Sequence, residues 1–207
     1  MVIAEDKLTL SQRKRLDILN AARTEFLESG FRDTSMDRVA ERAQASKRTV
    51  YNHFPSKEAL FTAITRQFVD ELRQAISVAY DPSRPLTEQL REIADRELAQ
   101  VTQPDYVAMV RVVLAEAGSF QDTFVSILED TGSVQDPLEH WIAAACADGR
   151  LDVEDKRLAA TQFNSLLKGA CFWPRVAGYG EALSAREQDV VLSEAVAMFL
   201  ARYEQKA

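Results

Sequence analysis

Apolar residues recur three and four apart along this chain, without the strict alternation a half-buried strand requires, so the pattern predicts an all-α protein. In SQRKRLDILNAARTEFLESG, residues 11–30, Leu16, Leu19, Ala22 and Phe26 form one stripe, and Gly30 is a natural C-cap. Thr34, followed three residues later by Asp37, resembles a capping box opening the run MDRVAERA, with Met36, Val39, Ala40 and Ala43 turned inward. Only Gln44 and Ala45 separate this run from a third short helix. That helix is capped by Ser46, keeps Val50 and Phe54 on its apolar face, and is stopped by Pro55.

The remainder reads as helical throughout. Ser56 opens a long helix to about Ala79, with Ala59, Leu60, Ile64, Phe68, Leu72 and Ile76 in register, and DPSRP at 81–85 is a turn. Helices are predicted over Leu86–Val101, Asp105–Ala117, Phe120–Glu129 and Asp136–Ala147, then over Asp155–Phe172 and Ser184–Tyr203. The chain divides at Pro55 into a small helical head, 1–55, and a larger helical body, 56–207.

The two-residue gap between the second and third helices fits a helix-turn-helix. Ser46 as N-cap leaves Lys47, Arg48 and Thr49 in the first turn, where side chains and free N–H groups can meet a docked phosphate, while Thr49, Asn52 and His53 lie away from the packing face. Charge supports a DNA-touching head. The net charge is −7, yet the first 60 residues carry 11 Lys and Arg against 9 Asp and Glu, and the remainder 14 against 23.

Other classes find little support. No nucleophile elbow, phosphate-cradling glycine loop or HExxH is present, so no enzyme is expected. Cys146, Cys171, His53 and His140 show no ligand spacing, so no metal or other cofactor is expected, and the cysteines read as small buried apolar residues. No apolar run approaches about 18 residues and MVIAEDKLTL lacks a signal-peptide pattern, so the expectation is a cytoplasmic protein with no membrane partner. The last two helices have wide apolar faces, which either complete the core or pair across a two-fold axis.

Across about residues 11–62 the chain resembles the TetR family of transcriptional regulators. The resemblance rests on Phe26, Gly30, Phe31, Thr34, Val39 and Ala40, then Ser46, Thr49, Val50, Tyr51, His53 and Phe54, then Ser56, Lys57, Glu58 and Leu60. It implies that Lys47, Arg48, Thr49 and Asn52 face the major groove and that Tyr51, His53 and Lys57 touch phosphate, with Thr34 counted among the DNA contacts. Two positions depart from the pattern. Gln44 stands where relatives often have Gly, at a cost of about 1 kcal/mol if φ is positive. Arg48 stands where many have a small residue, and its fork either reads guanine or holds phosphate.

The C-terminal half resembles the AefR-like subgroup through MVRVVLAEAGSF at 109–120, AACADGRLDVED at 144–155 and FNSLLKGACFWPRVAGYG at 163–180. The TetR-family resemblance implies a homodimer built on the last two long helices, with Phe163, Leu166, Ala170, Trp173, Val191, Ala195, Met198 and Phe199 at or beside the seam. The AefR-like resemblance implies an effector pocket. Met109, Val113, Phe124, Leu128, Trp141, Phe163, Leu167 and Phe172 either line one or are ordinary core, and Glu116, His140 and Asn164 either orient a ligand or sit at the surface. The expected function is a repressor released from a palindromic operator by a small, mostly apolar effector. The alternatives are an activator, or control by a protein partner.

Overall fold

The computed structural model describes residues 9–120 and 137–205. Numbered in chain order over those residues, the helices are α1 (Leu10–Asp33), α2 (Met36–Arg42), α3 (Lys47–His53), α4 (Lys57–Ile76), α5 (Leu86–Val101), α6 (Pro104–Glu116), α7 (Pro137–Ala147), α8 (Lys156–Cys171), α9 (Trp173–Ala177) and α10 (Ala185–Tyr203). The only strand-like pairing among them is one antiparallel bridge, Leu151 with Glu204. The expected all-α class is what the chain adopts. The helix expected over Phe120–Glu129, and with it Phe124 and Leu128, lies outside the described residues.

Contacts gather the helices into two units. One runs up to Phe68 and resumes at Arg111; the other holds Val69–Val110 and the C-terminal helices, so α4 and α6 each begin in one unit and end in the other.

In the first unit, α1 opens at Thr9, whose side chain accepts from Gln12 N while Gln12 Oε1 accepts from Thr9 N, a reciprocal box. Its buried stripe is Ile18, Leu19, Ala22 and Phe26. Leu16, expected on that stripe, is exposed. At about 100° per residue it sits roughly a quarter-turn beyond the stripe's centre, and Ile18 takes the inward place. Gly30 breaks the helix where the sequence places its C-cap. With φ 75° and ψ 173° it kinks the chain, and one further turn follows that buries Phe31.

The cap of α2 is Ser35, which accepts from Arg38 N, and not Thr34. Thr34 is buried because its hydroxyl donates back to Gly30 O (2.7 Å) or Glu25 O (3.1 Å) across the kink. Met36, Val39, Ala40 and Ala43 are buried as expected. Gln44 adopts φ 48°, the left-handed turn that usually calls for glycine. Gln44→Gly is therefore expected to stabilise the head by up to about 1 kcal/mol, raising the melting temperature a few degrees without changing DNA affinity. Thermal denaturation beside an operator titration checks both halves.

In the second unit α5 buries Leu86, Leu90, Ile93, Ala94, Leu98 and Val101 along one face, and packs against α8 and α10. From α8 come Ala159, Ala160, Phe163, Leu167 and Cys171; from α10 come Leu192, Ala195, Val196, Phe199 and Leu200. Phe163 and Phe199 meet edge to face at 5.4 Å. The predicted turn at 81–85 is held by fully buried Gln89. Its Oε1 accepts from Asp81 N and from Trp141 Nε1, and its amide nitrogen donates to Asp81 O and Arg84 O. A buried carboxamide satisfied on every side fixes the turn firmly.

Candidate nucleic-acid interface

A capped, two-faced helix forms the candidate reading surface. Thr49 N donates to Ser46 Oγ at 3.0 Å, which sets the first turn of α3, and Val50 and Phe54 are buried beneath it. On the other side Lys47, Arg48, Tyr51 and Asn52 are exposed, with Thr49 and His53 half-buried. Lys47 Nζ lies 2.7 Å from Asp37 Oδ2, and this hydrogen bond raises the ammonium pKa. Both partners are largely exposed, so the pair is weak and Lys47 can exchange Asp37 for a phosphate at little cost.

Two residues of the sequence-derived set stand elsewhere. Thr34 is only 3 % exposed and its hydroxyl is committed to the kink of α1. Lys57 is drawn inward. Its Nζ donates to Phe31 O (2.8 Å), Arg32 O (3.0 Å) and Thr34 O (3.0 Å), and it lies 4.5 Å from the centre of the Phe31 ring. An ammonium has three donors, and here all three serve the end of α1. Lys57 is therefore engaged with the end of α1 in this structure.

The head carries two further supports. Buried Glu25 accepts from Arg42 Nε and pairs with Arg38 Nη2, each at 2.7 Å, so one carboxylate of α1 holds two arginines of α2. Glu116, at the end of α6, is buried and meets Arg32 Nε at 3.0 Å. Beside it Phe120 packs on Phe31 (5.1 Å) and Phe61 (5.7 Å), which with Phe26 make an aromatic cluster of the head. Glu116, a candidate for orienting an effector, is thus engaged by Arg32. The partners stand 17 and 84 residues apart in sequence, beyond any local pattern.

The remaining candidates differ in burial. Phe163, Leu167 and Trp141 are deeply buried, and Phe172 nearly so. Met109 is fully buried and Val113 nearly so, both on α6. Exposed His140 lines an open groove of about 280 Å³ with Tyr80, Pro137 and Trp141. Of the proposed seam, Phe163, Ala195 and Phe199 lie inside the protomer's core and Val191 is half-buried, whereas Leu166, Ala170, Trp173 and Met198 face outward. Leu158 and Val190, about half exposed, extend that outer face. Cys171 is buried, and burial pushes its thiol pKa up, away from the reactive thiolate.

The pattern of tetR-family bacterial regulatory proteins matches residues 18–64, and that of the C-terminal domain of AefR-like transcriptional repressors matches residues 88–205. The chain belongs to the TetR family of transcriptional regulators. A crystal structure of a TetR-family regulator from Pseudomonas syringae pv. tomato str. DC3000 is 38% identical, covering 97% of this chain and 100% of that one with a TM-score of 0.76. A flavonoid-responsive regulator, FrrA, is 31% identical, covering 94% and 99% with a TM-score of 0.78. The HTH-type transcriptional activator FasR of Mycolicibacterium smegmatis is 31% identical over 115 residues, 48% of this chain and 52% of that protein. Curated relatives are matched along about half their length or less. This regulator is a DNA-binding transcription factor, and the relatives it resembles are regulators, not enzymes. Among the described residues no helix is long and apolar enough to cross a membrane, and no group of three metal-ligating side chains gathers.

Proposed function

We propose that the regulator is a cytoplasmic repressor that binds a palindromic operator as a homodimer and is released by a small, mostly apolar effector. The observation that carries the DNA-binding half is α3 itself: capped at Ser46, anchored through Val50 and Phe54, and exposing Lys47, Arg48, Tyr51 and Asn52 on one face. A recognition helix needs that division between packing and reading. The seam we propose is the outward face of α8 to α10, with Leu166, Ala170, Trp173 and Met198 at its centre. The AefR-like match supports the repressor reading, FrrA's flavonoid response supports an aromatic effector, and FasR's role as an activator favours the opposite sign of regulation.

Effector binding in the body would reach the head through the two helices shared by both units. In the head, α4 brings Lys57 to the end of α1 and α6 brings Glu116 to Arg32. A ligand releases the operator only as far as it prefers the conformation with the lower DNA affinity.

The test is an operator selected from random DNA, bound at several salt concentrations and followed by sedimentation. Two chains per site and affinity falling with salt are expected; monomeric or sequence-independent binding defeats the proposal. On a panel of single-base variants of that operator, Arg48→Ala or Asn52→Ala should change the preferred base, by about 1–3 kcal/mol if the contact is bidentate. An equal loss on every operator would assign Arg48 to phosphate instead.

A further inference from the structure

We infer that the body takes a neutral, hydroxylated aromatic compound, with its hydroxyl groups met by Asn164 and the Glu97–Lys168 pair where α5 packs on α8. This deepens the effector reading and rests on it.

Glu97 of α5 is 1% exposed, and Lys168 Nζ of α8 lies 2.6 Å from its Oε1. One turn earlier on the same flank of α8, Asn164 carries its Oδ1 buried and without a hydrogen-bond partner. Buried carboxamide oxygens are almost always paired, so this one calls for a donor from outside the chain. Tyr106 packs its ring on Phe172 at 5.7 Å, and burial, with the charge of Glu97 added, pushes its phenol up to about 12. It stays protonated and neutral at any working pH.

Three features select the ligand class. Glu97 and Lys168 already balance each other, so a cation or anion entering here would bring an uncompensated charge into a low dielectric. Asn164 Oδ1 accepts only, whereas the Lys168 ammonium only donates. A phenolic hydroxyl serves both, donating to one and accepting from the other. The Tyr106 and Phe172 rings, which meet at 5.7 Å, give a flat apolar partner an aromatic neighbour.

Calorimetry on the full chain at pH 6.5 compares naringenin, a trihydroxylated flavanone, with unsubstituted flavanone and with the cation tryptamine. Naringenin is expected to bind at least tenfold more tightly than either. Asn164→Leu should abolish most of its advantage over flavanone. The pair Glu97→Gln with Lys168→Met, which leaves no buried ion unpaired, should reduce the same advantage. Equal binding of naringenin and flavanone, a preference for tryptamine, or an advantage untouched in both variants would overturn the inference. Operator release is read separately by fluorescence anisotropy. Naringenin bound at this site without release would overturn the effector reading and uphold the site. Release by another compound, with no naringenin binding, would overturn the site and uphold the reading.

Discussion

Leu166→Asp combined with Met198→Asp is expected to convert the regulator to a monomer and lower its operator affinity by about two to four orders of magnitude. Both side chains are exposed in the protomer, 40% and 52%, so the fold should survive with an unchanged far-ultraviolet spectrum. In a two-fold seam each substitution occurs twice, and an aspartate shut into an apolar contact without a partner costs several kcal/mol. Dimerisation is then lost. A monomer holds one half-site and forfeits the effective concentration that links two heads, which accounts for the size of the affinity loss. Sedimentation velocity and operator titration check the two effects, with Leu10→Asp, at the exposed start of the head, as the control that should remain dimeric. A double variant that stays dimeric would refute the proposed seam.

Lys57→Met should act on the stability of the head, and through it on every operator alike. Met keeps the apolar stem but removes the charge that three carbonyls of the α1 terminus share. Hydrogen bonds to a charged donor contribute about 1.5–3 kcal/mol each, and water recovers part of that for half-exposed groups, so a loss of about 2–4 kcal/mol is expected. The alternative role, a phosphate contact, predicts a different signature. There the melting temperature would hold and the salt dependence of DNA binding would fall by about one counterion. A lowered denaturation midpoint with an unchanged salt slope supports the positioning role; the reverse restores Lys57 to the DNA surface.

Ser46, Val50 and Phe54 were readable because cap and apolar period act within two turns of one helix. The cap of α2 falls one position later than the sequence suggests, since Thr34 and Ser35 are equally good caps until the kink at Gly30 claims the Thr34 hydroxyl. Leu16 falls off the buried stripe because Leu19, Ala22 and Phe26 leave its edge open, and Ile18 closes it. Glu25, Lys57 and Glu116 find partners through tertiary packing that no periodicity encodes. For α8 and α10 the sequence shows apolar residues on two faces without saying which is core. Burial separates Phe163, Ala195 and Phe199 from Leu166, Ala170 and Met198.

The lysine at the start of α4 has a consequence for transplanting this head onto another regulator. A chimaera joined at Pro55 would discard Lys57, together with Phe61, which packs on Phe26 and Phe31, and Phe68, whose ring lies 6.0 Å from the Arg23 guanidinium. The graft would inherit the reading helix but not the clasp that fixes the end of α1. A junction after Phe68 carries these contacts with it. Even then the recipient must supply an acid opposite Arg32, because Glu116 stays behind with the donor.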